Sequence, residues 1–393
     1  MSEVRLNAAV GEVVSPPIAD VNGWVAGMVF PPQHPLLDLA QAVPSYPPAD
    51  ELAAHVGEVA REPASALYAP ILGLPALRAR FAQHLGAIYG APIAAGEVAI
   101  TAGCNQAFCA ALSTLAGPGD EVILPVPWYF NHQMWLQMQH VSIQPLAFDE
   151  ASAGVPDPDA AAALINARTR AIVLVTPNNP TGGEYPPALL ARFLDLAVAR
   201  GIVLVLDETY KDFRGAPGAP HALFAHPRWR EHLVSLHSFS KSYAMAGYRV
   251  GGLVCGERIM DSVQKIMDCI AICAPRISQR AALFALDHLD AWRDDKVAMM
   301  AARAQALREL FRANRLHWKL LSCGAYFAWV RHPFDGESST SVARRLAREH
   351  GVLCVPGATF GPDLEQYLRF AFANLDAAQM PALVQRLLEC QDA

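Results

Sequence analysis

Charge is scarce in this chain: Asp, Glu, Lys and Arg make up 17% of its 393 residues, against 53% hydrophobic residues. No lysine or arginine cluster stands out, and the net charge is −6, so the basic field that nucleic acid or an anionic membrane demands is missing. No apolar stretch approaches the length of a bilayer span, and the opening MSEVRLNAAVGEVV lacks the apolar core of a signal peptide. The eight cysteines contain no C-x-x-C pair, which argues against zinc and dithiol chemistry, and in a chain this long they are not a disulfide framework. Cys104, Cys109, Cys269 and Cys273 read as small buried thiols. No metal, nucleic acid or membrane partner is expected, and the cytoplasm is the expected compartment.

What is present is enough apolar material for a large core. At this length a single core is exceeded and two domains are expected. The first 48 residues are punctuated by proline (SPP at 15–17, FPPQHP at 30–35, VPSYPP at 43–48) and read as an extended arm, residues 1–48, packing with a small domain. From residue 49 helices alternate with short apolar runs. ALRARFAQHLGAIYG (76–90) places Leu77, Phe81, Leu85 and Ile88 on one helical face, and QAFCAALSTLAG (106–117) reads as a second helix.

The runs EVILPV, SIQPLAF, AIVLVTP, IVLVLDE, HLVSLHSF and VGGLVCG read as strands of a mostly parallel sheet buried on both faces. The predicted fold is α/β: a large domain over 49–290 with this sheet flanked by helices, and a smaller α+β domain over 291–393. Between SQRAALFALDHLDAW and AARAQALRELFRANRL the chain reads as one long helix or two joined ones. AYFAWV and YLRFAFA are the predicted strands of the small domain.

The chemistry concentrates in SFSKSYAMAGYRVG (238–251), where Ser238, Lys241 and Arg249 are spaced as a phosphate-bearing aldehyde needs. A lysine amine can condense with pyridoxal phosphate, while hydroxyl and guanidinium groups neutralise the phosphate. A lysine between serines is ordinarily a solvated surface residue, so the reading depends on other segments. VTPNNPTGG (175–183) puts Asn178 and Asn179 after an apolar run, and VLVLDETY (203–210) puts Asp207 and Tyr210 at the end of another. Those are positions where an open parallel sheet presents side chains to a ligand. TAGCNQAF (101–108) places Gly103, Cys104 and Asn105 at a helix start, where free N–H groups favour an anion.

With these motifs in order from Tyr68 to Arg369, the chain resembles the class I/II aminotransferases, pyridoxal-phosphate enzymes of fold type I that include aspartate aminotransferase. The resemblance implies a pyridoxal 5′-phosphate cofactor bound to Lys241 as a Schiff base, with Asp207 against the ring nitrogen. It implies Tyr210 and Asn179 on the ring's 3-hydroxyl oxygen, Asn179 also being open to a role bracing the NPTG turn. Ser238, Arg249 and the Gly103–Asn105 helix start match the phosphate ligands. Tyr129, rather than Trp128, matches the residue stacked on the ring, and His132 a histidine supporting the aspartate.

Arg369, in an apolar strand, matches the residue that grips the substrate α-carboxylate. Tyr68 matches a tyrosine reaching across from a second subunit, which implies a homodimer. Ala42 stands where many relatives carry glycine, and no second arginine for a side-chain carboxylate is evident. Trp24, Tyr46 and Tyr243 are candidates for the wall of an apolar side-chain pocket. The expected activity is transamination between an amino acid and a 2-oxo acid. β-Elimination or decarboxylation on the same scaffold is the alternative, and a non-catalytic cofactor-binding regulatory domain the remote one.

Overall fold

The computed structural model describes residues 4–392. In the N-terminal segment the chain is not uniformly extended: short helices form at Ala8–Gly11 and Pro17–Gly23. The second exploits the proline, whose fixed φ suits the first helical position and which lacks a donor there. The short strand β1 (Leu37–Asp38) then pairs in parallel with β11 (Val352–Leu353), Leu37 opposite Val352.

The large sheet has seven strands: β2 (Val98–Thr101), β3 (Glu121–Pro125), β4 (Ser142–Leu146), β5 (Thr169–Val175), β6 (Val203–Asp207), β7 (Leu233–Ser238) and β8 (Gly251–Val254). Their spatial order is β2-β8-β7-β6-β5-β3-β4, and only β8 runs antiparallel to its neighbours. The central strands are buried on both sides because alternate residues feed two cores. Ile172, Leu174, Leu204 and Leu206 enter one cluster, while Ala171, Val173 and Val205 enter the other. β4 is an edge strand, where Pro145 costs no internal ladder bond.

Two of the flanking helices begin at proline and end at glycine, as helix-terminus chemistry favours. Pro75–Tyr89 stops at Gly90 (φ 65) and Pro187–Arg200 at Gly201 (φ 68). The long helical stretch is two helices, Arg276–His288 and Asp290–Ala313, joined at the fully buried Leu289.

A second sheet holds β12 (Val355–Pro356), β13 (Tyr367–Phe370), β10 (Phe327–Arg331) and β9 (Lys319–Gly324), in that order and all antiparallel. Helices Ser339–Glu349 and Met380–Gln391 pack on it. The two sheets meet at the NPTGG turn. Gly182 adopts φ 72, and a Cβ there would collide with the carbonyls of Gly324 and Phe327, so only glycine allows the turn to press on the β9–β10 hairpin. Ser322 Oγ donates to Thr181 O across the same contact at 2.6 Å.

Of the four cysteines expected to be buried thiols, only Cys104 is. Cys109 and Cys273 are half-buried, and Cys269 is exposed on the outward side of helix Glu257–Ala271. Among the described residues no helix is long and apolar enough to cross a membrane.

Candidate active site

The carboxyl ends of β2, β3, β5, β6 and β7 lie on one side of the sheet, and the segments leaving them, with β13 of the second sheet for Arg369, carry predicted residues to a common cavity of about 650 Å³. Cys104, Asn105, Tyr129, Asn179, Asp207, Tyr210, Ser238, Lys241, Arg249 and Arg369 all line it. Parallel strands create such crevices because their loops diverge beyond the last ladder bonds.

Asp207 ends β6 and is 4% exposed. Thr209 N donates to its Oδ1 at 3.0 Å, Cys104 Sγ lies 3.6 Å from the same oxygen, and His132 Nε2 lies 3.4 Å from Oδ2. Burial raises the pKa of this carboxyl, yet the hydrogen bond and charge of His132 and the donors at Thr209 outweigh it and hold it below the ordinary value. Among the described residues no lysine or arginine pairs with it. His132 is itself stacked on one face, its ring 3.8 Å from that of Phe108 at 12°. Glu208, next along the chain, turns to the other face of the sheet, where Tyr89 and Ser235 each donate to it at 2.6 Å and anchor the strand end.

Lys241 follows β7 and donates from Nζ to Ala42 O. Desolvation, then the positive fields of Arg369 and Arg249, push its amine down to about 8. No carboxylate among the described residues pairs with it.

At the other end of the cavity Gly103 takes φ 88 just before helix Cys104–Leu115. A Cβ on Gly103 would collide with the Arg249 guanidinium, so the arginine rests directly on the backbone of the helix start. Arg249, itself at φ 51, is tied by Nη1 to Ala246 O at 2.9 Å. Ser238 Oγ accepts from Ser240 N at 3.1 Å, which leaves the Ser238 hydroxyl proton to donate elsewhere. Gly103 itself does not line the cavity but shapes its floor. Ser240, which does line it, had no signal in the sequence beyond its place in the same serine-rich turn.

Arg369 lies in β13 at 2% exposure. Its Nη1 donates to Asn179 Oδ1 at 3.0 Å and its Nη2 to Ala40 O, while Nε has no partner. Phe327 and Phe360 rings lie 5.1 Å from the guanidinium carbon. Burial lowers its pKa to about 10, and no carboxylate among the described residues neutralises it. The structural salt bridge that would otherwise account for a buried arginine is therefore not there.

The two asparagines divide their work. Asn178 Oδ1 accepts from Thr181 N and Oγ1, both at 3.0 Å, and its Nδ2 donates to Tyr185 at 3.1 Å, so Asn178 braces the turn. Asn179, turned toward Arg369, keeps its Nδ2 donors for another acceptor.

Tyr210 is 5% exposed and packs on Tyr326 and Phe327. Burial pushes the Tyr129 hydroxyl up to about 12, against a lowering by Asn105 beside it. Tyr129 meets His132 edge-on at 5.0 Å, while Trp128 does not line this cavity.

Four predicted residues stand elsewhere. Tyr68 is 74% exposed and outside the cavity. Trp24, Tyr46 and Tyr243 are not on its wall. Trp24 lies under the Arg344 guanidinium at 5.2 Å, Tyr46 packs on Trp292 at 5.7 Å, and Tyr243 is buried against Phe239. The residues that form the wall instead come from the N-terminal segment and helix Phe130–Met138, among them Pro16, Ile18 and Met134.

A family model described as aminotransferase class I and II matches residues 34–387. The chain belongs to that family. An aromatic aminotransferase of Arabidopsis thaliana is 30% identical over 378 residues, covering 95% of this chain and 92% of the relative. A methionine aminotransferase of Escherichia coli is 28% identical over 360 residues, covering 89% and 91%. Among solved structures, the aspartate aminotransferase of Thermus thermophilus with maleate superposes with a TM-score of 0.89, at 24% identity over 99% of this chain and 100% of that one. That likeness shows the fold, and it agrees with the expected large α/β domain and smaller α+β domain. The family and its relatives make this chain a transaminase of the pyridoxal-phosphate-dependent kind, as expected over the elimination, decarboxylation and regulatory alternatives.

Proposed function

We propose that this aminotransferase holds pyridoxal phosphate in the cavity described above and exchanges amino groups there between an amino acid and a 2-oxo acid. One observation carries the reading: the Lys241 amine, the Asp207 carboxylate and the Arg369 guanidinium converge on one cavity, the only basic group that meets Asp207 is His132, and among the described residues neither cation has a carboxylate partner. Buried charges are costly unless paired, so three of them around one space call for a ligand with complementary charges. A protonated ring nitrogen suits Asp207, an aldehyde suits the Lys241 amine, and a substrate carboxylate suits Arg369. The N–H groups of Cys104 and Asn105, the Ser238 hydroxyl and Arg249 form a donor set that fits a phosphate. The residues present thus fit the group.

When bound, pyridoxal phosphate supplies an electron-withdrawing ring that stabilises negative charge at the substrate α-carbon. In this reading Asp207, held ionised by His132 and Thr209, would keep the ring nitrogen protonated. Asn179 and Tyr210 would donate to the 3-hydroxyl oxygen, Tyr129 would cover the ring, and Gly103, which leaves room for the Arg249 guanidinium, would let that arginine serve the phosphate. Arg369, steadied by Asn179, binds and orients the α-carboxylate. Lys241 would hold the aldehyde end through its amine, and as a neutral amine its Nζ would take the substrate α-proton and hold it for return. Its lowered pKa keeps neutral amine available for that task.

The proposal extends to a homodimer in which Tyr68 completes the phosphate end of the second subunit's site. Supporting it, Leu67 (64% exposed), Tyr68, Ile270 (50%) and Ile272 (38%) are large apolar residues left open. Arg276 joins the two segments by donating to Leu67 O at 3.2 Å and Tyr68 O at 2.8 Å. The division into an arm (1–48), a cofactor-binding domain (49–290) and a small domain (291–393) is part of the same reading, supported by the separation of the two sheets. A cytoplasmic location is supported by eight cysteines that are all free.

Mixing holoenzyme with an amino acid and an oxo acid tests the reading. Stoichiometric formation of a new amino acid and a new oxo acid is expected. Release of ammonia or carbon dioxide would overturn it.

A further inference from the structure

The following inference rests on the transaminase reading and names the substrate class of that site. Once the phosphate, ring and α-carboxylate positions are taken, one wall of the cavity is left over. It is built by Pro16, Pro17 and Ile18 from the N-terminal segment and by Phe130 and Met134 from helix Phe130–Met138. Phe130 is 6% exposed and Met134 7%, and Ile18 packs against the apolar cluster that contains both.

Among the lining residues the basic groups are Lys241, Arg249 and Arg369 and the acid is Asp207, and each of these has its assignment elsewhere in the site. What remains near the wall is neutral: Gln41 and Asn131 are its polar members. A carboxylate or ammonium on a substrate side chain would shed its water against this wall and find no counter-ion among the residues that this subunit contributes. An apolar side chain would release water from Ile18, Phe130 and Met134, and the flexible thioether of Met134 adapts to both linear and ring shapes.

We propose that this wall is the side-chain pocket and that it selects amino acids with uncharged apolar side chains, of the size of methionine to phenylalanine, over dicarboxylic and dibasic ones. The N-terminal segment is then part of the specificity machinery, and its contact with helix Phe130–Met138 sets the shape that the side chain meets.

The test uses holoenzyme with one fixed oxo-acid acceptor and compares kcat/KM for L-methionine, L-phenylalanine, L-aspartate and L-arginine, with L-alanine as the reference. Methionine and phenylalanine are expected to exceed aspartate and arginine by roughly tenfold or more. Met134→Lys, which places a cation in the wall, is expected to raise the aspartate-to-methionine ratio by roughly tenfold. Ile18→Lys, on the less buried side, provides the same comparison should the first variant not fold. A wild-type preference for aspartate or arginine, or an unchanged ratio in the folded variants, overturns the pocket. Absence of oxo acid from all five amino acids, alanine included, overturns instead the transaminase reading beneath it.

Discussion

Arg369 Nη1 donates to Asn179 Oδ1 at 3.0 Å, and this bond to an uncharged amide, with that of Nη2 to Ala40 O, steadies a fully buried guanidinium that has no carboxylate partner among the described residues. The amide of the large domain thereby aims the arginine of the small domain, leaving the cation's charge for a ligand. Arg369→Lys keeps the charge but loses the planar fork. It is expected to lower kcat/KM for the amino acid by roughly 10- to 100-fold, the value of one to two charge-assisted hydrogen bonds. The loss should fall mainly on KM, with bound cofactor unchanged by absorbance. A kcat/KM within twofold of wild type would contradict the assignment.

Gly103 and Arg249 are the corresponding pair at the phosphate end. Gly103→Ala forces a side chain into a left-handed backbone conformation and into the Arg249 guanidinium. Displacing that arginine is expected to raise the Kd for pyridoxal phosphate by roughly tenfold or more, the weight of one charge-assisted hydrogen bond. Fluorescence titration of apoenzyme measures it. An unchanged Kd would remove Arg249 from the phosphate site.

The Lys241 amine gives a pH signature. Its ordinary pKa is about 10.4, and burial with the fields of Arg369 and Arg249 brings it to about 8. The neutral amine is the nucleophile, so covalent capture of pyridoxal phosphate by apoenzyme should speed up as pH rises through about 8 and level off above it. Stopped-flow absorbance between pH 6 and 10 follows this, in buffers of about constant ionic strength so that screening does not intrude. A rate still climbing near pH 10 would mean that the amine is unperturbed.

Tyr68 tests the dimer. Subunits carrying Lys241→Ala, mixed and refolded with subunits carrying Tyr68→Ala, form hybrids in which one of the two sites has both residues intact. Random pairing of equal amounts should restore about a quarter of wild-type sites. Recovery no greater than the sum of the two parents would place Tyr68 outside the partner's site.

Much of the candidate site is legible because residues just beyond the carboxyl ends of buried parallel strands sit at the crevice between diverging loops. The pattern puts Asp207 after VLVL, and Asn178 and Asn179 together after AIVLVTP, at the crevice; only the family resemblance separates Asn179 from Asn178, which braces the turn. Arg369 stood out because an arginine amid YL and FAFA has to find a partner or a ligand.

Contacts distant in sequence were not legible. Ala42 O reaches Lys241 across 199 positions, and Ile18 shares a cluster with Met134 that no local period announces. The Trp24, Tyr46 and Tyr243 pocket failed because residue type says nothing of direction, and each ring found a partner elsewhere: Arg344, Trp292 and Phe239. Strands β11 and β12 have two residues each, too short for any alternation to register. The helix at Pro17–Gly23 was hidden by prolines that serve as its start.

The covalent tether itself is the most direct test. Holoenzyme is reduced with borohydride, digested, and the modified peptide is sequenced by mass spectrometry, alongside Lys241→Ala treated identically. The account predicts a phosphopyridoxyl group on Lys241 in wild type and none in the variant, which retains cofactor only non-covalently and loses transamination. Label on any other lysine in wild type, or cofactor still fixed to the variant with activity intact, would contradict it.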